Sequence, residues 1–181
     1  GYRINHMLET IQKSETELKK QHTRTRLYLD TADVLLLVLD RTGNVSLINK
    51  TGCDILGLPE GEITGRNWFD NFLPERVREE TRSLYSQIVE GAVVPHDTME
   101  TPILRADGTE RMPLWRSSRL LNSRGAITGV FSSGTDITER KQMEEALRTS
   151  EAQYRRLFDE MLTGFALYEV VRDEDGSPYD F

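Results

Sequence analysis

The sequence has few of the residues from which catalytic and metal sites are built. Cysteine occurs once, so an internal disulfide is excluded, and we expect Cys53 to be a small buried side chain in a reducing compartment. The three histidines, His6, His22 and His96, share no metal-ligand spacing and join no cysteine or carboxylate cluster in the sequence. A Gly-x-x-x-x-Gly-Lys phosphate loop is absent as well. We therefore expect no enzyme activity, no catalytic residue and no metal site in this chain.

Long apolar runs and an excess of positive charge are also missing. No segment approaches the roughly 20 apolar residues that a membrane helix needs, and the sequence begins with neither an initiator Met nor a secretory signal. We expect a cytoplasmic piece of a longer protein, and leave open whether that protein has a membrane anchor upstream. The formal net charge of -7 and the pI of about 5.1 argue against nucleic acid as a partner.

What is present suits one domain of ordinary size with extensions. The chain has 181 residues, of which 37% are hydrophobic and 29% are charged. Short runs bounded by turn residues predict five strands. The first is a continuous apolar run, Asp33–Asp40, and the others are Val45–Asn49, Thr98–Leu104, Arg111–Leu121 and Ile127–Thr135. The spacing of apolar and capping residues predicts a short helix, Cys53–Leu56, capped by Asn49 and stopped by Gly57, and a longer helix, Val77–Glu90, stopped by Gly91.

The period of the sequence changes abruptly at the end of the last predicted strand. Ile127, Gly129 and Phe131 alternate with Thr128, Val130 and Ser132, a half-apolar run with the period of a strand that has one buried face. Helical spacing follows within a few residues. Asp136 lies at the change with Glu139 three residues later, which predicts a capping box in which Asp136 accepts from a helix N–H and Glu139 reaches back. A shift of the sheet is therefore expected to move the following helix.

Helices with a heptad pattern are predicted at both sides of this domain. In residues 1–26, apolar or small polar residues recur at coiled-coil spacing, and residues 143–161 show spacings of 4, 3, 4, 3 and 4. These patterns predict a parallel homodimer formed through the flanking helices. An amphipathic helix that lies on its own domain remains the alternative for residues 1–26.

Two segments carry a resemblance to a known family. Asp136-Ile137-Thr138-Glu139-Arg140-Lys141 resembles the Asp-x-Thr-Glu-Arg-Lys junction that closes PAS sensor domains and opens their signalling helix. The segment from Asn49 through the Gly-Leu-Pro-Glu-Gly-Glu-Ile-Thr-Gly-Arg run ending at Arg66 is also similar to that family. The resemblance covers about residues 27–140. It implies an α+β PAS fold, with an antiparallel sheet of about five strands and helices on one face, flanked by coiled-coil-like helices.

The resemblance also implies a domain organisation. Residues 1–26 would form an N-terminal signalling helix, 27–138 the PAS domain, 139–161 a C-terminal signalling helix, and 162–181 the start of a second PAS domain. That last assignment rests on a repeat, because Leu157–Leu167 parallels Leu27–Leu37. We expect Phe165–Val171 to be disordered or paired with another chain. The implied function is a sensory box that relays a signal, in a two-component sensor histidine kinase.

The site residues implied by the resemblance fall into two groups. Signal transmission is assigned to the junction Asp136, Ile137, Thr138 and Glu139. A ligand pocket between the sheet and the helices is assigned to Trp68, Leu84, Ile88, Trp115 and Phe131.

The sequence restricts the cofactor without identifying it. Light-sensing members of the family have a reactive cysteine where this chain has Trp68, and a Gln where it has Gly134, so no cysteinyl-flavin adduct can form. No histidine lies on the predicted helix Val77–Glu90, and we expect His96 to be a surface-loop residue rather than a haem ligand. Trp68 and Trp115 are candidates to stack on a flavin, or are ordinary core residues. A flavin- or haem-dependent redox or gas sensor, and a passive dimerisation module of a cyclic-dinucleotide signalling protein, therefore remain alternatives.

Overall fold

The computed structural model describes the backbone of residues 2–95, 98–162, 171–172 and 178–180, and the side chains of 13, 15–21, 23–95 and 98–159. Two units are present, Gly1–Thr138 and Glu139–Phe181. The helices are α1 (Tyr2–Asp30), α2 (Lys50–Leu56), α3 (Glu60–Ile63), α4 (Trp68–Phe72), α5 (Glu75–Glu90) and α6 (Thr138–Leu162). The strands are β1 (Leu35–Asp40), β2 (Val45–Ile48), β3 (Met99–Glu100), β4 (Ile103–Leu104), β5 (Glu110–Arg111), β6 (Pro113–Leu121), β7 (Ile127–Asp136), β8 (Val171–Arg172) and β9 (Pro178–Asp180).

The first unit is built on a five-stranded antiparallel sheet in the order β2-β1-β7-β6-β3. This confirms the predicted α+β fold and its strand number. One face of the sheet contributes Leu37, Trp115 and Val130 to a buried core, which is completed by side chains of α2 to α5. The strands β1 and β7 approach so closely that a Cβ on Gly129 would lie 2.2 Å from the Leu39 carbonyl oxygen. Only glycine fits there.

Two predicted strands are divided in the structure, each next to a proline. Thr98–Leu104 becomes β3 and β4, which lie in different sheets, with Pro102 between them. Arg111–Leu121 becomes β5 and β6, divided at Met112 immediately before Pro113. Proline has no N–H to give to a ladder and restricts the preceding residue, so a single continuous strand is not favoured at either place.

Glycine and asparagine set the ends of the helices largely as predicted. Asn49 accepts from the Gly52 N–H at 3.0 Å, so α2 begins at Lys50, three residues earlier than predicted. Gly57 and Gly91 end α2 and α5 in the left-handed conformation, with φ of 73° and 87°. The helix α4 was not predicted as a helix, although the Asn67 side chain caps it by accepting from two backbone N–H groups.

Asn49 also joins the end of α1 to the sheet. Its side chain is buried, and its oxygen accepts from the backbone N–H groups of Leu36 and Gly52. Its amide nitrogen donates to the carbonyl oxygens of Leu29 and Val34, both at 2.9 Å. All of these groups are satisfied within the first unit, and α1 continues to Asp30, beyond the predicted boundary at residue 26.

The second unit contains α6 and a short β8–β9 pair, in which Val171 lies opposite Asp180 of the same chain. The prediction for Phe165–Val171 falls largely on residues 163–170, which lie outside the described residues. Throughout the part of the chain that is described, no helix is both long enough and apolar enough to cross a membrane.

Candidate functional site

A small cavity lies in the core between the sheet and the helices α4 and α5. Its volume is about 60 Å³. Trp68, Leu84, Ile88 and Trp115, four of the five residues predicted for the pocket, line it. The other lining residues come from the sheet, α4, α5 and the segments next to them: Leu37, Leu39, Phe69, Leu73, Thr81, Tyr85, Met99, Thr101, Ser117, Val130 and Ser132.

Phe131, the fifth predicted pocket residue, lies on the opposite face of the sheet. In β7 the residues that line the cavity are Val130 and Ser132, and side chains alternate along a strand. The sequence pattern suggested the reverse, because Phe131 is more apolar than its neighbour Ser132. The structure shows why serine is tolerated inside: the Ser132 hydroxyl is paired with the Ser117 hydroxyl at 2.8 Å.

The two tryptophans pack against each other and not around an open slot. Their rings meet edge to face, with centroids 5.9 Å apart and planes at 87°. The Trp115 Nε1–H donates to the Thr101 carbonyl oxygen at 3.1 Å. Trp68 also contacts Phe72, with ring centroids 5.2 Å apart. In this arrangement the tryptophans act as core residues, and an aromatic ligand between them would require the rings to separate.

Tyr85 ties the helix α5 to the end of β1. Its hydroxyl donates to the Asp40 backbone carbonyl oxygen at 2.5 Å. The Asp40 carboxylate in turn fixes the turn after β1 by accepting from the Thr42 N–H at 2.8 Å and the Asn44 N–H at 3.0 Å. The wall of the cavity formed by α5 is thereby attached to the hairpin.

The start of α6 is attached to the residue that divides β5 from β6. The Ile137 N–H donates to the Met112 carbonyl oxygen at 2.9 Å, and the Met112 N–H donates to the Thr138 hydroxyl at 2.8 Å. The Ile137 side chain is buried. Backbone and side chain together therefore fix the position of Thr138, the first residue of α6.

Asp136 completes this junction. One carboxylate oxygen accepts from the Thr138 N–H at 2.9 Å and from the Thr138 hydroxyl, and the other lies 3.9 Å from the Arg111 guanidinium. The sequence predicted that Asp136 accepts from a helix N–H, and the structure contains that bond. Glu139 is exposed, and among the hydrogen bonds described for this region none runs from Glu139 back to Asp136. Thr138 makes the second contact instead.

A second charge pair links α5 to β5, the strand that contains Arg111. Arg76 lies in the first turn of α5. Its two terminal guanidinium nitrogens donate to the Glu110 carboxylate, one of them at 2.5 Å. The hydrogen bond from Arg76 lowers the pKa of Glu110. Glu110 and Arg111 are adjacent in β5. The helix α5, which forms a wall of the cavity, therefore contacts the first of these residues, and Asp136 at the start of α6 contacts the second. No local pattern in the sequence predicts the Arg76–Glu110 pair, because the two residues lie 34 positions apart.

Other candidate chemistry is weak. The half-buried Cys53 thiol packs against the core. Burial, and to a lesser extent nearby carboxylates, raises the pKa of this thiol and so favours its protonated form. His96 lies outside the described residues, as do the side chains of His6 and His22. Within the described part of the chain, no three His, Cys, Asp or Glu residues are grouped to hold a metal ion.

The Tyr85 contact leads to a prediction about pH. Burial raises the pKa of Tyr85, whereas tyrosines of the unfolded chain ionise near about pH 10. The stabilisation that the protonated Tyr85 hydroxyl gives the fold is therefore fully present below about pH 10 and is lost as the pH rises above it. We expect Tyr85→Phe to lower the free energy of unfolding by about 1 kcal/mol at neutral pH and to weaken the decrease of that free energy as the pH rises above about 10.

Denaturant unfolding followed by tryptophan fluorescence measures both effects. Tyr28→Phe is the matched control, because Tyr28 is exposed and lies outside the core, and this variant should retain the full alkaline decrease. The same decrease in Tyr85→Phe as in the unmodified protein would contradict the assignment.

Comparison with known proteins identifies relatives of this architecture. The family described as the PAS fold matches residues 29–142. The C4-dicarboxylate transport sensor protein DctS of Rhodobacter capsulatus is 27% identical over 148 residues, which are 79% of this chain and 22% of the relative. This chain thus spans about a fifth of that protein.

Solved structures show the same fold. The PAS domain of an HTR-like protein from Haloarcula marismortui matches with a TM-score of 0.55 and 21% identity, over 70% of this chain and 99% of that chain. The PAS domain of the RpfR quorum-sensing receptor of Cronobacter turicensis matches at 26% identity, over 59% of this chain and 96% of that chain. Its TM-scores are 0.50 for the complex with BDSF and 0.51 for the complex with C12:0.

Proposed function

Because the chain belongs to the PAS family, we propose that it is a sensory domain in which the cavity wall α5 and the output helix α6 are linked through β5. The contacts that carry this proposal are the Arg76–Glu110 and Arg111–Asp136 pairs, on adjacent residues of one short strand. A displacement of α5 pulls on Glu110, and Arg111 passes it to the carboxylate that caps α6. Asp136, Ile137, Thr138 and, with its first turn, Glu139 form the transmitting segment.

The signal acts by shifting a population between two packings of α5 on the sheet. The cavity of about 60 Å³ is smaller than the roughly 300–1,000 Å³ of sites that enclose drug-sized ligands. A ligand, or a rearranged upstream domain, therefore favours a packing in which α5 lies further from the sheet. Binding of BDSF and of C12:0 by the RpfR domain supports a small-molecule ligand. The compact tryptophan pair favours this reading over a flavin sensor.

We assign the catalytic step to another part of the parent protein. The described residues offer binding and coupling contacts, and the relative DctS is a sensor protein of which this chain covers a small part. In the proposed arrangement, a second PAS domain begins at residue 162 and a histidine kinase output domain follows the flanking helix. The protein would act in the cytoplasm, without nucleic-acid partners.

The output helix supports a parallel homodimer. Met143, Leu147, Tyr154 and Leu157 follow the coiled-coil spacing, and each is more than half exposed in the single chain, at 69%, 61%, 72% and 57%. Pairing of α6 with a second copy would bury this stripe, and the heptad pattern of α1 would extend the same dimer. Rotation or a register change of the paired helices would then carry the signal to the output domain.

The junction is tested by replacing its cap. We expect Asp136→Ala to cost about 1 kcal/mol at the helix start, which corresponds to about fivefold faster amide hydrogen exchange at Thr138–Lys141. Glu139→Ala is the matched control, since Glu139 makes no described bond to Asp136, and it should have a smaller effect. In the full-length parent, Asp136→Ala should uncouple output from input. Equal exchange in the two variants, or unchanged signalling, would contradict the role of Asp136.

The dimer is tested by placing charge on the stripe. Leu147→Lys combined with Leu157→Lys removes two apolar contacts from the seam, each worth about 1.5–3 kcal/mol when fully buried. We therefore expect the dimer dissociation constant from sedimentation equilibrium to rise at least about tenfold. Ala152→Lys adds charge on the opposite side of the same helix and should leave the constant unchanged. An unmodified protein that is monomeric would contradict the dimer.

A further inference from the structure

A surface groove runs between α5 and β3, directly outside the core cavity. Its volume is about 440 Å³. Four residues line both spaces: Thr81 and Leu84 from α5, and Met99 and Thr101 from β3 and the residues next to it. The groove and the cavity therefore meet at one shared wall.

The sizes of the two spaces complement each other. The inner cavity, at about 60 Å³, has room for a few water molecules, whereas the groove at about 440 Å³ falls within the range of small-molecule sites. Leu84 and Met99 are flexible side chains without branching at Cβ, and Met99 is more than a third exposed. Rotamer changes of these two residues would open a passage through the shared wall.

The charge around the groove selects the chemistry of its occupant. Glu80 contributes a carboxylate to the lining, and Gln87 contributes an amide. No Lys, Arg or His is among the described residues that line it. An anionic head group placed there would face like charge, and a cationic one would face opposite charge. Further in, Leu84, Ile88 and Trp115 present apolar surface.

We infer that the gap between α5 and β3 is the access route and outer half of the ligand site, and that it takes an amphipathic ligand with an apolar tail and a cationic or neutral head. The tail passes between Leu84 and Met99 into the core cavity, and the head remains in the groove beside Glu80. This inference rests on the proposed sensory role and specifies the ligand class of that same site. A tail that passes this wall separates α5 from β3, which is the displacement that the β5 charge pairs would transmit.

The tryptophans provide a reporter for this site. The chain contains two tryptophans, Trp68 and Trp115, and both line the inner cavity. Three probes with the same chain length and different head charge are titrated below their micellar concentrations: octylammonium, 1-octanol and octanoate. Circular dichroism checks that the fold is retained. We expect a saturable fluorescence change, with octylammonium bound about tenfold more tightly than octanoate and octanol between them.

Two variants with matched controls separate the route from the charge. Ser83→Phe fills the groove from an exposed position of α5 and should weaken all three probes, while Ser86→Phe, on the same helix but outside the lining, should not. Glu80→Gln should reduce the preference for octylammonium and leave octanol unchanged, and Glu90→Gln, also outside the lining, should retain the preference.

Each outcome decides the inference. Octanoate bound as tightly as octylammonium, or binding unaffected by Ser83→Phe, would overturn it, although a saturable tryptophan signal would still support a ligand-binding sensory domain. No saturable signal from any probe would also overturn it. The proposed function is tested separately, by the exchange of the α6 amides in Asp136→Ala.

Discussion

The backbone of Met112 is the point on which the output side of this domain depends. Its carbonyl oxygen accepts from Ile137 and its N–H donates to Thr138, so one residue fixes both the end of β7 and the start of α6. The next residue is Pro113, which has no N–H to offer the sheet. The strand therefore divides at Met112 and leaves β5 as a separate short strand, paired with β4.

This division places β5 between α5 and the start of α6. It lies outside the main sheet, and its two side chains are held by different elements, Glu110 by α5 and Arg111 by the α6 junction. The pairs are partly exposed, with side-chain exposures of 58% and 36% in the first and 34% and 26% in the second. Such pairs contribute little to stability. Weak, salt-sensitive links of this kind suit a switch, because two packings that differ by a few kcal/mol can both be populated.

Local rules in the sequence predicted much of the framework. Asn49, Gly57 and Gly91 mark helix ends because capping and the left-handed conformation depend on a single residue type at one position. The Asp136–Thr138 junction was identified for the same reason. The five pocket residues were assigned from the family resemblance, and four of them, Trp68, Leu84, Ile88 and Trp115, line the cavity. Family resemblance supplied the antiparallel sheet of about five strands, whereas the strand order β2-β1-β7-β6-β3 comes from the structure.

What the sequence could not predict depended on contacts between distant residues or on a choice between the two faces of a strand. Alternation in β7 is compatible with either face inside, and the sequence favoured the face of Phe131. Ser132 faces the cavity instead because its hydroxyl pairs with Ser117 on the neighbouring strand, a contact that the sequence of β7 alone does not reveal. Arg76 and Glu110 meet only after the fold has formed. The second bond at the junction comes from the Thr138 hydroxyl, which also accepts from the distant Met112 N–H.

The measurement that tests the central claim most directly is a charge exchange across α5 and β5, read at α6. Amide hydrogen exchange at Thr138–Lys141 is compared in Arg76→Glu, in Glu110→Arg and in the double variant, with Lys50→Glu, which breaks the separate exposed pair to Asp54, as control. If β5 couples the helices, each single variant accelerates exchange at the start of α6, and the double variant returns it towards the original rate, whereas Lys50→Glu has no effect there. Single variants that leave α6 unchanged, or a double variant whose effect is the sum of the two, would contradict the coupling.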